Sequence, residues 1–176
     1  TLANILSKRF PDHSVILLPS ARLGFYLLLQ QAFKPGDEVI FPALGFPLYV
    51  KIALQLGLKP KLIDVEPEHL NIDPGKLGNS ISEQTKGIVV THLFGHPAEM
   101  NEIKKISSEY GLPIIEDCAQ SFDSSYEGTE TGTESWVGLI SCSLMKVPTT
   151  LGGGILLTKD QTLVDNLNLA IARNFE

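Results

Sequence analysis

Apolar runs alternate with segments of helical period along most of the chain. SVILL (14–18), DEVIF (37–41), KLIDV (61–65), KGIVVTHLF (86–94), LPIIED (112–117), Val137–Ser143 and GILLT (154–158) read as seven strands. Between them, Arg22–Phe33 reads as a helix closed by Lys34, Pro35 and Gly36. Phe46–Leu56 reads as one ended by Gly57, and Ala98–Tyr110 as an amphipathic helix closed by Gly111. A last helix is expected from Gln161 to about Arg173. Near-continuous apolar strands are buried on both faces, and their alternation with helices predicts a mostly parallel α/β sheet with right-handed crossovers. In such sheets ligands bind beyond the carboxyl ends of the strands. No internal repeat or low-complexity linker interrupts the pattern.

Composition narrows the class. The 176 residues suffice for one domain with a sizeable core, and the 43% hydrophobic and 19% charged content is ordinary for a globular protein. A net charge of −6 argues against nucleic acid as a partner. Cys118 and Cys142 have no metal-type spacing and form no disulfide framework, so reduced thiols in a cytoplasmic protein are expected. The most apolar window, 15–33, is interrupted by Pro19, Ser20, Arg22, Gly24 and two glutamines, and does not read as a membrane span.

The strand ends carry the candidate chemistry. Ser20-Ala21-Arg22 opens a helix after the first strand; it reads either as an anion site or as a plain serine N-cap. Phe46, after the second strand, can lie over a cofactor ring or cap the core. His92 ends the fourth strand and reads as a hydrogen-bonded structural residue; His96 is placed in a loop, and no third ligand makes the pair a metal site. Glu116-Asp117 ends the fifth strand after apolar residues, with Gln120 three positions on; it reads either as an exposed cap of the next turn or as a half-buried acid that holds a cation. Lys146 follows the sixth strand and reads equally as a surface lysine or a site lysine, ahead of Gly152–Gly154, which read as a flexible turn or as glycines that permit close backbone approach. An anion site, an aromatic ring, an acid and a lysine at strand ends together match what pyridoxal phosphate requires.

At this point the chain resembles the DegT/DnrJ/EryC1/StrS sugar aminotransferases, within fold type I of the pyridoxal-phosphate enzymes. The resemblance is carried by KPGDEVIFPALGF, KLIDVEPEHLNIDP, HLFGHPAEMNEI, GLPIIEDCAQSF and SCSLMKVPTTLGGG, in the family's order. It implies a three-layer sandwich around a seven-stranded, mostly parallel sheet with one antiparallel strand, the large domain of the aspartate aminotransferase fold. Lys146 matches the Schiff-base lysine and Asp117 the partner of the pyridine nitrogen. Gln120 matches the glutamine beside the ring, Phe46 the stacking aromatic and Ser141 a phosphate-contacting serine. Ser20 and Ala21 fall at the Gly-Thr of the phosphate turn. The chain departs from the family at that turn, which reads PSARLG instead of SGTAAL, so that a threonine hydroxyl is lost and Arg22 gained. It departs again around the lysine, SLMKVP instead of HPTKN, and at GGG instead of GEGG. The resemblance further implies a cytoplasmic homodimer that transfers an amino group, from a donor such as glutamate, to a keto group of a nucleotide-linked sugar. Another fold type I reaction and a degenerate non-catalytic paralogue are the alternatives; sugar dehydratases of the group carry histidine where this chain has Lys146. Family members are longer, so residues 1–176 are expected to be the cofactor-binding large domain without the smaller C-terminal domain.

Overall fold

The computed structural model describes residues 2–175. In chain order the elements are α1 (Leu2–Arg9), β1 (Ser14–Leu18), α2 (Ala21–Ala32), β2 (Glu38–Pro42), α3 (Pro47–Gln55), β3 (Lys59–Ile63) and α4 (Pro74–Leu77). They continue as β4 (Thr85–Thr91), α5 (Met100–Tyr110), β5 (Ile114–Asp117), β6 (Ser125–Tyr126), β7 (Thr129–Glu130), β8 (Val137–Ser141), β9 (Gly154–Thr158) and α6 (Gln161–Phe175).

Seven strands form one sheet in the order β1-β9-β8-β5-β4-β2-β3. β9 runs antiparallel to both β1 and β8, and the other pairings are parallel. Every residue of β5, β8 and β9 is buried, as a sheet covered on both faces demands. One face carries the core shared by α2, α3 and α6, including Phe25, Leu28, Leu139 and Leu156. The opposite face packs Ile88 and Val90 under Ile103 of α5, and Ile140 and Ile155 under Leu6 of α1 with nearby Phe10. The sequence expectation of a three-layer, mostly parallel sheet with one antiparallel strand holds. Among the described residues, no helix is long and apolar enough to cross a membrane.

The ends of β4 and α5, which the pattern misjudged, are set by one polar side chain, His92. β4 stops at Thr91 instead of Phe94, because His92 turns inward and Leu93–Gly95 forms a 3-10 turn with Phe94 in the left-handed region (φ 54°). α5 begins at Met100 instead of Ala98, whose N–H is committed to His92 Nδ1 at 3.0 Å. β3 lies two residues earlier than expected, where Lys59 N–H bonds Asp37 O and aligns Glu38–Pro42 with Lys59–Ile63. α1, α4 and the β6–β7 hairpin carry too short an apolar signal to be read. The hairpin turns at Glu127-Gly128, both at positive φ, as a two-residue turn needs.

Candidate active site

β1, β2, β4, β5 and β8 all end on one edge of the sheet, and β9 begins there. A cavity of about 440 Å³ opens at this edge. All seven residues singled out in the sequence line it: Ser20, Ala21, Phe46, Asp117, Gln120, Ser141 and Lys146.

Ser20 is the N-cap of α2, its Oγ accepting from Leu23 N–H at 3.2 Å. The N-cap reading and the anion-site reading are therefore compatible, since the first-turn N–H groups and the positive helix end remain directed at the cavity. No acidic residue occupies the first turn of α2. Ser20 is also bridged to Gly153, and a Cβ on Gly154 would lie 2.4 Å from Ala21 N. Only glycine lets the start of β9 press against this helix end, which answers why the chain needs glycine at 154.

Asp117 closes β5 and is buried. Its Oδ1 accepts from Ala119 N–H at 3.1 Å, and its Oδ2 has only a long contact of 3.5 Å with the Thr91 hydroxyl. Burial pushes its carboxyl up to about 6, with the Ala119 N–H and the Lys146 charge offsetting only part of that cost. Lys146 sits in the turn after β8, held by its N–H to Ser143 O at 2.9 Å. Its neighbours Leu144, Met145 and Val147 are exposed while the lysine is half-buried, so the polar residue of this turn faces the cavity and the apolar ones face out. Ser141 Oγ donates to Ser143 Oγ at 3.4 Å, and Gln120 Oε1 accepts from Phe94 N–H at 3.3 Å. Phe46 stands half-exposed at the rim, edge-on to Tyr49 with ring centroids 5.3 Å apart.

The sequence pattern missed Tyr49 and Ser143 as lining residues, and marked Arg22, which also lines the cavity, only as a change at the helix start. Tyr49 was hidden inside a helix-period apolar segment. Its ring stacks on Phe25 at 4.1 Å, which gives it the signature of a core residue.

His92 and Glu116 belong to the interior, not to the cavity. His92 Nδ1 accepts from Ala98 N–H, so its proton is on Nε2 and is donated to Glu116 Oε2 at 2.7 Å. Glu116 also accepts from Gly132 N–H at 2.8 Å and from the Ser135 hydroxyl. Burial alone would raise Glu116; the hydrogen bonds from His92, Ser135 and Gly132 outweigh it and hold the carboxyl below its usual range. Cys118 lies close enough to make a three-ligand cluster with this pair. Both ring nitrogens of His92 are already committed, and the sequence expectation of a structural histidine holds.

A family model matches residues 12–173, that of the DegT/DnrJ/EryC1/StrS aminotransferase family. The chain belongs to this family. It is 38% identical over 130 residues to a UDP-2-acetamido-2-deoxy-3-oxo-D-glucuronate aminotransferase of Pseudomonas aeruginosa, covering 73% of this chain and 36% of that one. The solved aminotransferase from Psychrobacter cryohalolentis superposes with a TM-score of 0.88 at 30% identity, covering 93% of this chain and 42% of that one. An E. coli GDP-4-keto-6-deoxy-D-mannose-3-dehydratase, solved with bound hydrated PLP, superposes with a TM-score of 0.84 at 27% identity, covering 91% and 43%. The chain spans about a third of the length of the curated relatives it matches and less than half of these two solved chains.

Proposed function

We propose that this site binds pyridoxal 5'-phosphate and serves an aminotransferase that moves an amino group, from a donor such as glutamate, to a keto group of a nucleotide-linked sugar. The observation that carries the reading is the meeting of Asp117 and Lys146 in one cavity at the strand ends. The residues present fit the group. A buried carboxylate with one good hydrogen bond favours a cationic partner, which the protonated pyridine nitrogen supplies. The amine of Lys146 suits the aldehyde, and Ser20, the Ala21 N–H and Ser141 suit the phosphate. Phe46 and Gln120, which line the same cavity, would hold the ring.

When bound, the cofactor supplies a carbonyl to carry the amino group and a ring that takes up the electron pair left by a departing α-proton. Asp117, kept anionic by its cationic partner, holds the proton on the ring nitrogen. Lys146 Nζ takes up and returns the proton at the substrate carbon, which is general acid–base work at a positioned amine. A lysine also favours amino transfer over the dehydration performed by some relatives, because a primary amine condenses with a carbonyl and an imidazole does not. On this reading the chain supplies the cofactor-binding domain, and groups outside it share in gripping the sugar nucleotide. The exposed Leu144, Met145, Val147 and Leu151 at the cavity mouth support a second subunit covering this edge, as a homodimer.

Adding pyridoxal phosphate to the protein should produce a visible absorption band. Borohydride reduction followed by peptide mass analysis should leave the pyridoxyl group on Lys146. Glutamate and a nucleotide-linked ketosugar together should then yield 2-oxoglutarate. A Lys146→Ala protein that keeps the band and full turnover would sink the assignment.

A further inference from the structure

Two polar groups in the cavity have no role in the reading above. Arg22 lies in the first turn of α2, lines the cavity, and makes no hydrogen bond or ion pair among the described residues. Arg9, by contrast, is held by Asp123 at 2.6 Å and Glu130 at 2.7 Å. Tyr49 is 4% exposed, its ring fixed between Phe25 and Phe46. Its hydroxyl has no hydrogen-bond partner among the described residues, and the residue lines this cavity as well as a neighbouring one beside Pro42 and Thr91.

The two groups act on the same place. Burial pushes the Tyr49 phenol well above its ordinary value, the Asp117 charge adds to this, and the Arg22 charge works the other way. The exposed Arg22 and the buried ring of Tyr49 line the same cavity beside the amino end of α2, where the backbone already favours an anion. Ala21 offers no hydroxyl there, so a side-chain donor beyond Ser20 and Ser141 must come from another position. A phosphate monoester has three terminal oxygens to satisfy, and a guanidinium fork matches two of them at once.

We propose that Arg22 is a phosphate-binding residue of this site, pairing with the phosphate of pyridoxal phosphate, and that the Tyr49 hydroxyl donates to the same group. The proposal rests on the cofactor reading above and adds a charged clamp to it. Arg22 makes up for the side-chain donor that Ala21 lacks, and confers preference for the phosphorylated form of the cofactor.

The test compares pyridoxal 5'-phosphate with pyridoxal, which has the same ring and aldehyde and no phosphate, by quenching of protein fluorescence. Arg22→Ala should weaken the phosphate form about 10- to 100-fold, the range of a charged hydrogen bond, and leave pyridoxal unchanged. Arg22→Lys should fall between, since a point charge lacks the fork. Tyr49→Phe should lose about 5-fold, again for the phosphate form alone. Arg22→Ala binding the phosphate form as tightly as wild type, or losing both ligands equally, overturns the proposal while leaving the cofactor reading standing. A wild-type protein that takes up neither ligand overturns the cofactor reading, and Arg22's role with it.

Discussion

Glu116 and Asp117 are neighbours on one strand, both carboxylic acids and both buried, yet they live in opposite chemical conditions. The pleat sends successive side chains to opposite faces. Glu116 faces inward to three donors, His92, Gly132 and Ser135, and is held below the ordinary carboxylate range. Asp117 faces the cavity with one good hydrogen bond and is pushed up to about 6. A fully satisfied buried acid fastens the fold together: through Glu116 the strand holds His92, which in turn holds the turn at Ala98. An under-satisfied one keeps an affinity for a cation in reserve, and that reserve is what a binding site consists of.

The contrast can be broken at either residue. The largest effect is expected from Asp117→Ala, which should lower turnover of the assembled enzyme about 10³- to 10⁴-fold without lowering its melting temperature. Loss of folding instead of turnover would place Asp117 with Glu116. Glu116→Ala should do the reverse, costing about 3–5 kcal/mol in urea denaturation because His92 and two further donors lose their acceptor in the interior. An unchanged urea midpoint would show that the network contributes nothing.

A finer test uses pH. Folding raises the Asp117 carboxyl from 3.8 to about 6, so in that window the folded state keeps a proton that the unfolded chain has released. This group's contribution to stability is therefore favourable at low pH, falls as pH rises from about 4 to about 6, and is level above that. Asp117→Asn removes the penalty. Without added cofactor it should exceed wild type by about 1–3 kcal/mol at pH 7.5, with the gap closing near pH 4. A gap independent of pH would contradict the shift. The smallest effect belongs to Thr91→Val, which takes away the long contact to Asp117 Oδ2. Asp117 should titrate slightly higher by carboxyl NMR, at a stability cost of about 0.5 kcal/mol.

Much of this was open to reading in the residue pattern, and the failures have physical causes. Apolar period alone placed all seven strands of the main sheet, because strands covered on both faces leave a continuous apolar run. Asp117 stood out because a charge ending such a run is unusual, whereas Lys146 was evenly balanced on its own neighbours and gained weight only beside Asp117. Their pairing could not be read locally: 117 and 146 meet only through the β5–β8 register. The opposite fates of Glu116 and Asp117 were also closed to sequence, since both follow the same run and only the donors around each decide. Tyr49 was missed for the same reason that it is well placed. A ring buried against Phe25 looks like core, and the sequence does not say where its hydroxyl emerges. The ends of β4 and α5 were misjudged because one imidazole, His92, ends the first and delays the second.

The antiparallel placement of β9 has a consequence in time. β1 is an edge strand whose sheet partner is β9, and Ser20 meets Gly153 just beyond that pairing. During synthesis, β1 and the start of α2 must wait while on the order of 130 further residues emerge, a delay on the order of ten seconds. Until then the helix end proposed to receive the phosphate has no floor. On the proposed reading the site is completed by β9, the last in chain order of the seven described strands of this sheet, and uptake of the cofactor reports that those seven strands have closed.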